Sequence, residues 1–123
     1  MELMQTFILD TNIVLYFLGG RLANPLPSGQ YFISVITEIE LLSYPSLSPD
    51  EETQIIDFLN KISVVSIDNE IKNLTISLRK QYRLRLPDAI IAATAQSLNA
   101  TLFTNDVKLT NVTEISIQTV LLK

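Results

Sequence analysis

Apolar positions along the chain alternate between short unbroken runs and helically spaced ones. Thr6-Phe7-Ile8-Leu9 is such a run, closed by Asp10, as in a strand covered on both faces. Residues 11–18 follow as a helix stopped by Gly19-Gly20. Pro25, Pro27 and Gly29 mark a loop before a second strand over 31–33. Ser34 can cap the next helix, over about 35–44, where Val35, Ile36, Ile39 and Leu42 form an apolar stripe and Pro45 ends the run. Ser48-Pro49-Asp50-Glu51 is a helix start with a capping residue, a first-position proline and a reciprocal glutamate, and that helix extends to about Lys61. A third strand over 64–67 precedes Asp68, which can cap a helix over 69–83. Its Ile71, Leu74, Leu78 and Tyr82 share helical spacing. Pro87 opens a helix ending at Leu98, whose Ala92, Ala93 and Ala95 allow close packing. Residues 101–104 form a fourth strand before Asn105-Asp106, and 114–117 a fifth.

Short strands separated by helices predict an α/β fold with a parallel sheet. No repeat or linker divides the chain, so residues 1–123 are expected to form one domain, large enough to bury about two-thirds of its unfolded surface. Apolar residues at 47% and charged residues at 18% exclude intrinsic disorder. A net charge of −4 argues against holding nucleic acid by general positive charge. The chain has neither Cys nor His, which removes thiolate nucleophiles, histidine acid–base chemistry and most zinc sites. No apolar run approaches the roughly 20 residues of a membrane span. Met1-Glu2-Leu3-Met4-Gln5 has no basic or apolar signal-peptide character, so a cytoplasmic protein is expected.

Any hydrolytic chemistry is therefore left to carboxylates, hydroxyls, amides, Lys or Arg. In open parallel sheets ligands bind beyond the carboxyl ends of the strands. Asp10 ends the first strand, Asp106 follows the fourth, Glu38 and Glu40 lie in the helix after the second, and Asp88 is in the first turn of the Ala-rich helix. Each has an ordinary structural use, since Asp at a strand end or helix start caps amides and suits the helix dipole. Caps on separate helices need not converge, however. If these do, their mutual repulsion calls for a cation, and an all-oxygen set suits Mg²⁺ or Mn²⁺. Two such ions would bring the formal charge from −4 to about 0. Arg79, Lys80, Arg83 and Arg85 stand just before Asp88. Arg79 and Arg83, spaced i and i+4, share a helix face with Lys72, either as a phosphate-tracking strip or as a solvated face.

Four blocks, Ile8-Leu9-Asp10-Thr11-Asn12, Ser34-Val35-Ile36-Thr37-Glu38-Ile39-Glu40-Leu41, the run from Leu86-Pro87-Asp88 to Ala95, and Thr104-Asn105-Asp106, together resemble the PIN domain, in order and spacing, over about residues 6 to 122. The chain looks most like the small VapC-type toxin ribonucleases of toxin–antitoxin pairs. The resemblance implies a five-stranded parallel sheet between helices and an endoribonuclease that uses Mg²⁺ or Mn²⁺-activated water, leaving a 5′-phosphate and a 3′-hydroxyl. It places the catalytic, metal-binding acids on Asp10, Glu40, Asp88 and Asp106, with Asp10 and Asp106 the most direct ligands. Thr104 and Asn105 would orient Asp106, and Thr11 and Asn12 would hold the turn after the first strand. Arg79, Arg83 and Arg85 become candidate RNA contacts. The implied partners are an RNA substrate and a small antitoxin seated over the acidic cleft with a basic side chain.

Glu38 and Glu40 are about 200° apart on a helix, so only one can face the site; periodicity does not choose, and the family block selects Glu40. Many relatives carry another acid three residues after the Asp106 position, where this chain has Leu109. A dehalogenase-type phosphatase needs Asp where Asn12 stands, and a receiver domain needs an acidic pair near the first strand, where only Asp10 occurs. The alternatives within the resemblance are a PIN nuclease of RNA maturation without an antitoxin and a PIN-fold binding module with little turnover. The apolar composition further predicts a homodimer burying an apolar patch.

Overall fold

The computed structural model describes residues 4–123; Met1, Glu2 and Leu3, on which the reading of the start partly rests, lie outside them. The sheet is five-stranded and parallel throughout, built from β1 (Thr6–Leu9), β2 (Gln30–Ser34), β3 (Ser63–Val65), β4 (Thr101–Phe103) and β5 (Ser116–Gln118). Its spatial order is β3-β2-β1-β4-β5, which sets the first strand at the centre. Six helices accompany it: α1 (Thr11–Leu18), α2 (Val35–Leu42), α3 (Pro49–Leu59), α4 (Asn69–Tyr82), α5 (Leu86–Leu98) and α6 (Val107–Thr110).

Strand alternation explains the two layers. Phe7 and Leu9 of β1 join Phe103 in a core with Ile13, Val14, Leu41 and Ile55 from α1, α2 and α3. Ile8 between them points the other way, into a core with Leu102, Ile71, Leu78 and the alanines of α5. Small side chains let α5 lie close to the sheet; Ala89, Ala92, Ala93 and Ala95 are all fully buried. Gly29 is required where the loop enters β2, because a Cβ there would stand 2.5 Å from the Phe7 ring and 2.9 Å from a backbone oxygen. No helix among the described residues is long and apolar enough to cross a membrane.

The helix starts follow the capping chemistry. Ser34, Ser48 and Asp68 each accept an amide of the helix they precede, and Ser48 and Glu51 form the full reciprocal box. Two expectations need correction. The inward side of α2 is Thr37 and Leu41, with Ile39 and Leu42 about half exposed, because Thr37 meets the Thr11 hydroxyl and Leu41 the core shared with α1 and α3. The helix α4 ends at Tyr82, and Arg83 follows it in a left-handed conformation with φ 55°. Arg79 and Arg83 thus do not share a helix face. The short α6 was not foreseen, being a single turn started by Asp106.

Candidate active site

From β1 the chain proceeds through β2 to β3 on one side, and through β4 to β5 on the other. The connections therefore leave β1 and β4 in opposite directions, and a crevice opens beyond their carboxyl ends. Asp10, Glu40, Asp88 and Asp106 line one cleft of about 130 Å³ there, with Thr11, Asn12, Tyr44 and Arg85 completing its wall. Glu38 does not line it.

Asp10 is 6% exposed and holds two jobs. One oxygen accepts the Ile13 amide at 2.9 Å, which caps α1, and the other accepts the Thr104 hydroxyl. Burial pushes its pKa above the ordinary value; the bonds from Thr104 and Ile13 pull the other way, and the charges of Asp106 and Asp88 add to the rise. Asp106 and Asp88 thus stand near enough for their charges to reach Asp10. Asp106 caps α6, its Oδ1 accepting the Lys108 amide at 2.9 Å, while its own amide donates to the Thr104 hydroxyl oxygen at 3.0 Å. Thr104 accordingly braces both acids. Asn105 points elsewhere: its side-chain amide donates to the Val120 carbonyl at 3.0 Å and its Oδ1 accepts the Val120 amide at 2.8 Å. It anchors the final segment to the rim and does not orient the Asp106 carboxylate.

Thr11 does more than hold a turn. Its hydroxyl lies 2.6 Å from Glu40 Oε1, as donor, and 3.1 Å from the hydroxyl of Thr37, which is fully buried. This network fixes Glu40 toward the cleft. Asp88 caps nothing: Arg85 occupies the N-cap of α5 without a side-chain capping bond, and its Nε donates to Asp88 Oδ2 at 3.3 Å. Arg79 donates to the Leu84 carbonyl at 3.2 Å, and neither it nor Arg83 lines the cleft. Two aromatic neighbours escaped the sequence reading. Tyr44 lies four positions beyond Glu40, just past the end of α2, a spacing that points to it on a helix extended to 44. Tyr16 lines an adjoining hollow with Asp10, Asn12, Asn105 and Asp106, and the Arg21 guanidinium covers its ring at 5.1 Å.

The donor set suits a hard divalent cation. All donors are oxygens, and Glu40, Asp88 and Asp106 each commit one carboxylate oxygen to hydrogen bonds among the described residues, leaving the other to coordinate. The acids stand around the cleft and not yet at chelating distance: among the described residues no group of three is tight enough to hold one ion. Side-chain rotation of Glu40, Asp88 and Asp106 is what would close the set around Asp10, which is held by a bond to each oxygen and keeps a further lone pair on each for a cation.

A family model described as PIN domain matches residues 7–115. Among solved structures, the chain is similar to a toxin–antitoxin complex from Klebsiella pneumoniae, with 29% identity and a TM-score of 0.72 over 88% of this chain and 93% of that one. It is also similar to VapBC-1 from nontypeable Haemophilus influenzae, with 27% identity and a TM-score of 0.73 over 94% of this chain and 98% of that one. DNA-bound VapBC from Salmonella typhimurium shares the fold, at 23% identity and a TM-score of 0.80, over 94% and 98% of the two chains. No curated protein matches.

Proposed function

Since the chain belongs to the PIN domain family, we propose that it is a divalent-metal-dependent endoribonuclease and the toxin of a VapBC-type pair. The observation that carries this reading is the meeting of Asp10, Glu40, Asp88 and Asp106, delivered by four separate elements, in one cleft at the crossover between β1 and β4. Asp10 and Asp106 would hold the cation most directly, with Glu40 and Asp88 completing its surroundings. A bound Mg²⁺ or Mn²⁺ supplies Lewis acidity, offsetting charge on the scissile phosphate and making water acidic enough to serve as nucleophile.

The protein's own part is placement. Thr104 keeps the Asp10 carboxylate and the Asp106 backbone in register, and Thr11 with Thr37 keeps Glu40 inward. Such bracing matters because a reacting group displaced by an ångström can lose about a hundredfold in rate. Asn12, Tyr44 and Tyr16 line the cleft and its adjoining hollow, and would meet nucleotides next to the scissile phosphate.

The antitoxin assignment draws on the toxin–antitoxin assemblies to which the chain is similar. An acidic cleft of this kind would accept a basic side chain from such a partner. The whole chain serves as one nuclease domain working in the cytoplasm, and the half-exposed Ile39 and Leu42 suit a surface covered in a homodimer or by the antitoxin.

The test is cleavage of total RNA by purified protein in Mn²⁺ or Mg²⁺, with mapping of the ends. Products bearing 5′-phosphates and 3′-hydroxyls, lost on chelation and in Asp106→Asn, support the reading. No cleavage of any RNA with either ion would leave a PIN-fold binding module in its place. Co-purification with a small protein encoded beside it separates a toxin from a nuclease of RNA maturation.

A further inference from the structure

Among the residues that line the acidic cleft, Arg85 is the one base, and it touches the one acid whose partner can leave. Asp10 is held by a buried threonine and a backbone amide, and Glu40 by a threonine that is itself braced. Among the described residues Asp88 is held by the Arg85 side chain alone, which is 75% exposed where Asp88 is 13% exposed. The contact is single, from Nε at 3.3 Å. It leaves the two terminal nitrogens of the guanidinium without a protein partner among the described residues, so the fork that best matches a phosphate stays available. An exposed single-contact pair is also easily exchanged.

A cation at the free Asp88 oxygen and the guanidinium at Oδ2 carry like charge on one carboxylate, so each weakens the hold of the other. Resting on the nuclease reading above, we propose that Arg85 is an exchangeable counter-ion of the cleft: it gives up Asp88 when a divalent cation binds and then takes an RNA phosphate. Its backbone supports this double use. Arg85 is extended at the N-cap of α5, immediately before Leu86 and Pro87, so its side chain can swing over the cleft mouth while the helix stays in place. Two consequences of opposite sign follow. Removing the guanidinium strengthens cation binding, because a like charge is gone, and weakens RNA binding, because a phosphate contact is gone. A residue with a merely structural role would weaken both.

The experiment compares wild type, Arg85→Gln and Arg85→Lys. Mn²⁺ binding to the RNA-free protein is measured by calorimetry, and binding of a fluorescein-labelled pool of random 12-mer RNA by anisotropy read immediately on mixing. Arg85→Gln is expected to bind Mn²⁺ about 2- to 5-fold more tightly. With Mn²⁺ present it is expected to bind the RNA pool about 3-fold more weakly, with a salt slope smaller by about 0.7, the loss of one phosphate contact on a single strand. With EDTA the RNA effect is expected to be smaller, since Asp88 then retains Arg85. Arg85→Lys keeps the charge and is expected to lie nearer wild type in both measurements. Wild-type protein that binds Mn²⁺ while Arg85→Gln binds it equally or more weakly overturns the exchange and leaves the nuclease reading standing. An unchanged RNA salt slope overturns the phosphate contact. Wild-type protein that binds no Mn²⁺ at all overturns the nuclease reading, and the exchange with it.

Discussion

Thr104 donates its hydroxyl to the Asp10 carboxylate, and the same oxygen receives the amide of Asp106. One fully buried hydroxyl at the end of β4 thereby links an acid from the central strand to one from its neighbour. Thr104→Val keeps the shape and removes both bonds. Asp10 would face its buried site with one donor fewer, and the Asp106 amide would lose its acceptor. The expected cost is about 1–3 kcal/mol in urea unfolding, with cleavage falling further than stability does. Thr104→Ser retains the hydroxyl and should stay within about 1 kcal/mol of wild type. If the valine variant unfolds at the same urea concentration, the hydroxyl link is not what holds the two acids.

Asp10 makes the cleft pH-sensitive in two opposed ways. Its folded pKa is raised above the ordinary 3.8, chiefly by burial. Between those two values the folded state binds more protons than the unfolded one, so stability falls as pH rises through that window and is flat above it. At neutral pH the ionised Asp10 is therefore a local penalty in protein treated with EDTA. Asp10→Asn removes that charge together with one acceptor of the Thr104 hydroxyl, so its stability minus that of wild type should fall as pH is lowered from 7.5 toward 4 in parallel urea titrations. A difference that stays constant or rises on acidification contradicts the raised pKa. Activity should move oppositely, declining as acid protonates the same carboxylate.

Asp88 separates site from scaffold most cleanly. It caps no helix, and its pairing with the exposed Arg85 is worth under about 1 kcal/mol. Its place in the first turn of α5 adds about 0.3–1 kcal/mol through the helix dipole, offset by repulsion from Asp10. Asp88→Asn should thus unfold within about 1 kcal/mol of wild type in EDTA while cleavage drops by about a hundredfold or more. A loss of many degrees in melting temperature would make Asp88 a structural residue.

The sequence revealed most where short-range chemistry decides. The strand runs, the Ser48 capping box and the Asp68 cap are visible because each rests on neighbours within a few positions. The parallel order is legible for a related reason, since each pair of strands is separated by a helix and demands a crossover. Helical periodicity finds the more apolar edge of α2, whereas its buried side includes Thr37, whose partner Thr11 lies 26 positions away. Thr11 shows the same limit. Its partner Glu40 lies 29 positions away, and no local pattern joins a hydroxyl after β1 to a carboxylate in α2. Two of the site's acids were hard to tell from caps because Asp10 and Asp106 are caps as well as cleft residues.

Leu109 stands three residues after Asp106, where the family resemblance leads one to expect a further acid, and it serves the core instead. Leu109 is 1% exposed and belongs to the core formed with Ile8, Leu102 and α5, on the inner side of the single turn α6. A carboxylate on that side would enter an apolar layer and leave the cleft no better supplied. Leu109→Asp is therefore expected to destabilise the fold by about 3 kcal/mol or more, through the lost leucine packing and the cost of placing a charge there. It should not raise Mn²⁺ affinity. The control is Leu109→Met, which keeps volume and should cost under about 1.5 kcal/mol. Urea unfolding with calorimetric Mn²⁺ titration decides the matter: a stable Leu109→Asp protein with an added Mn²⁺ site would mean that α6 can turn this position to the cleft.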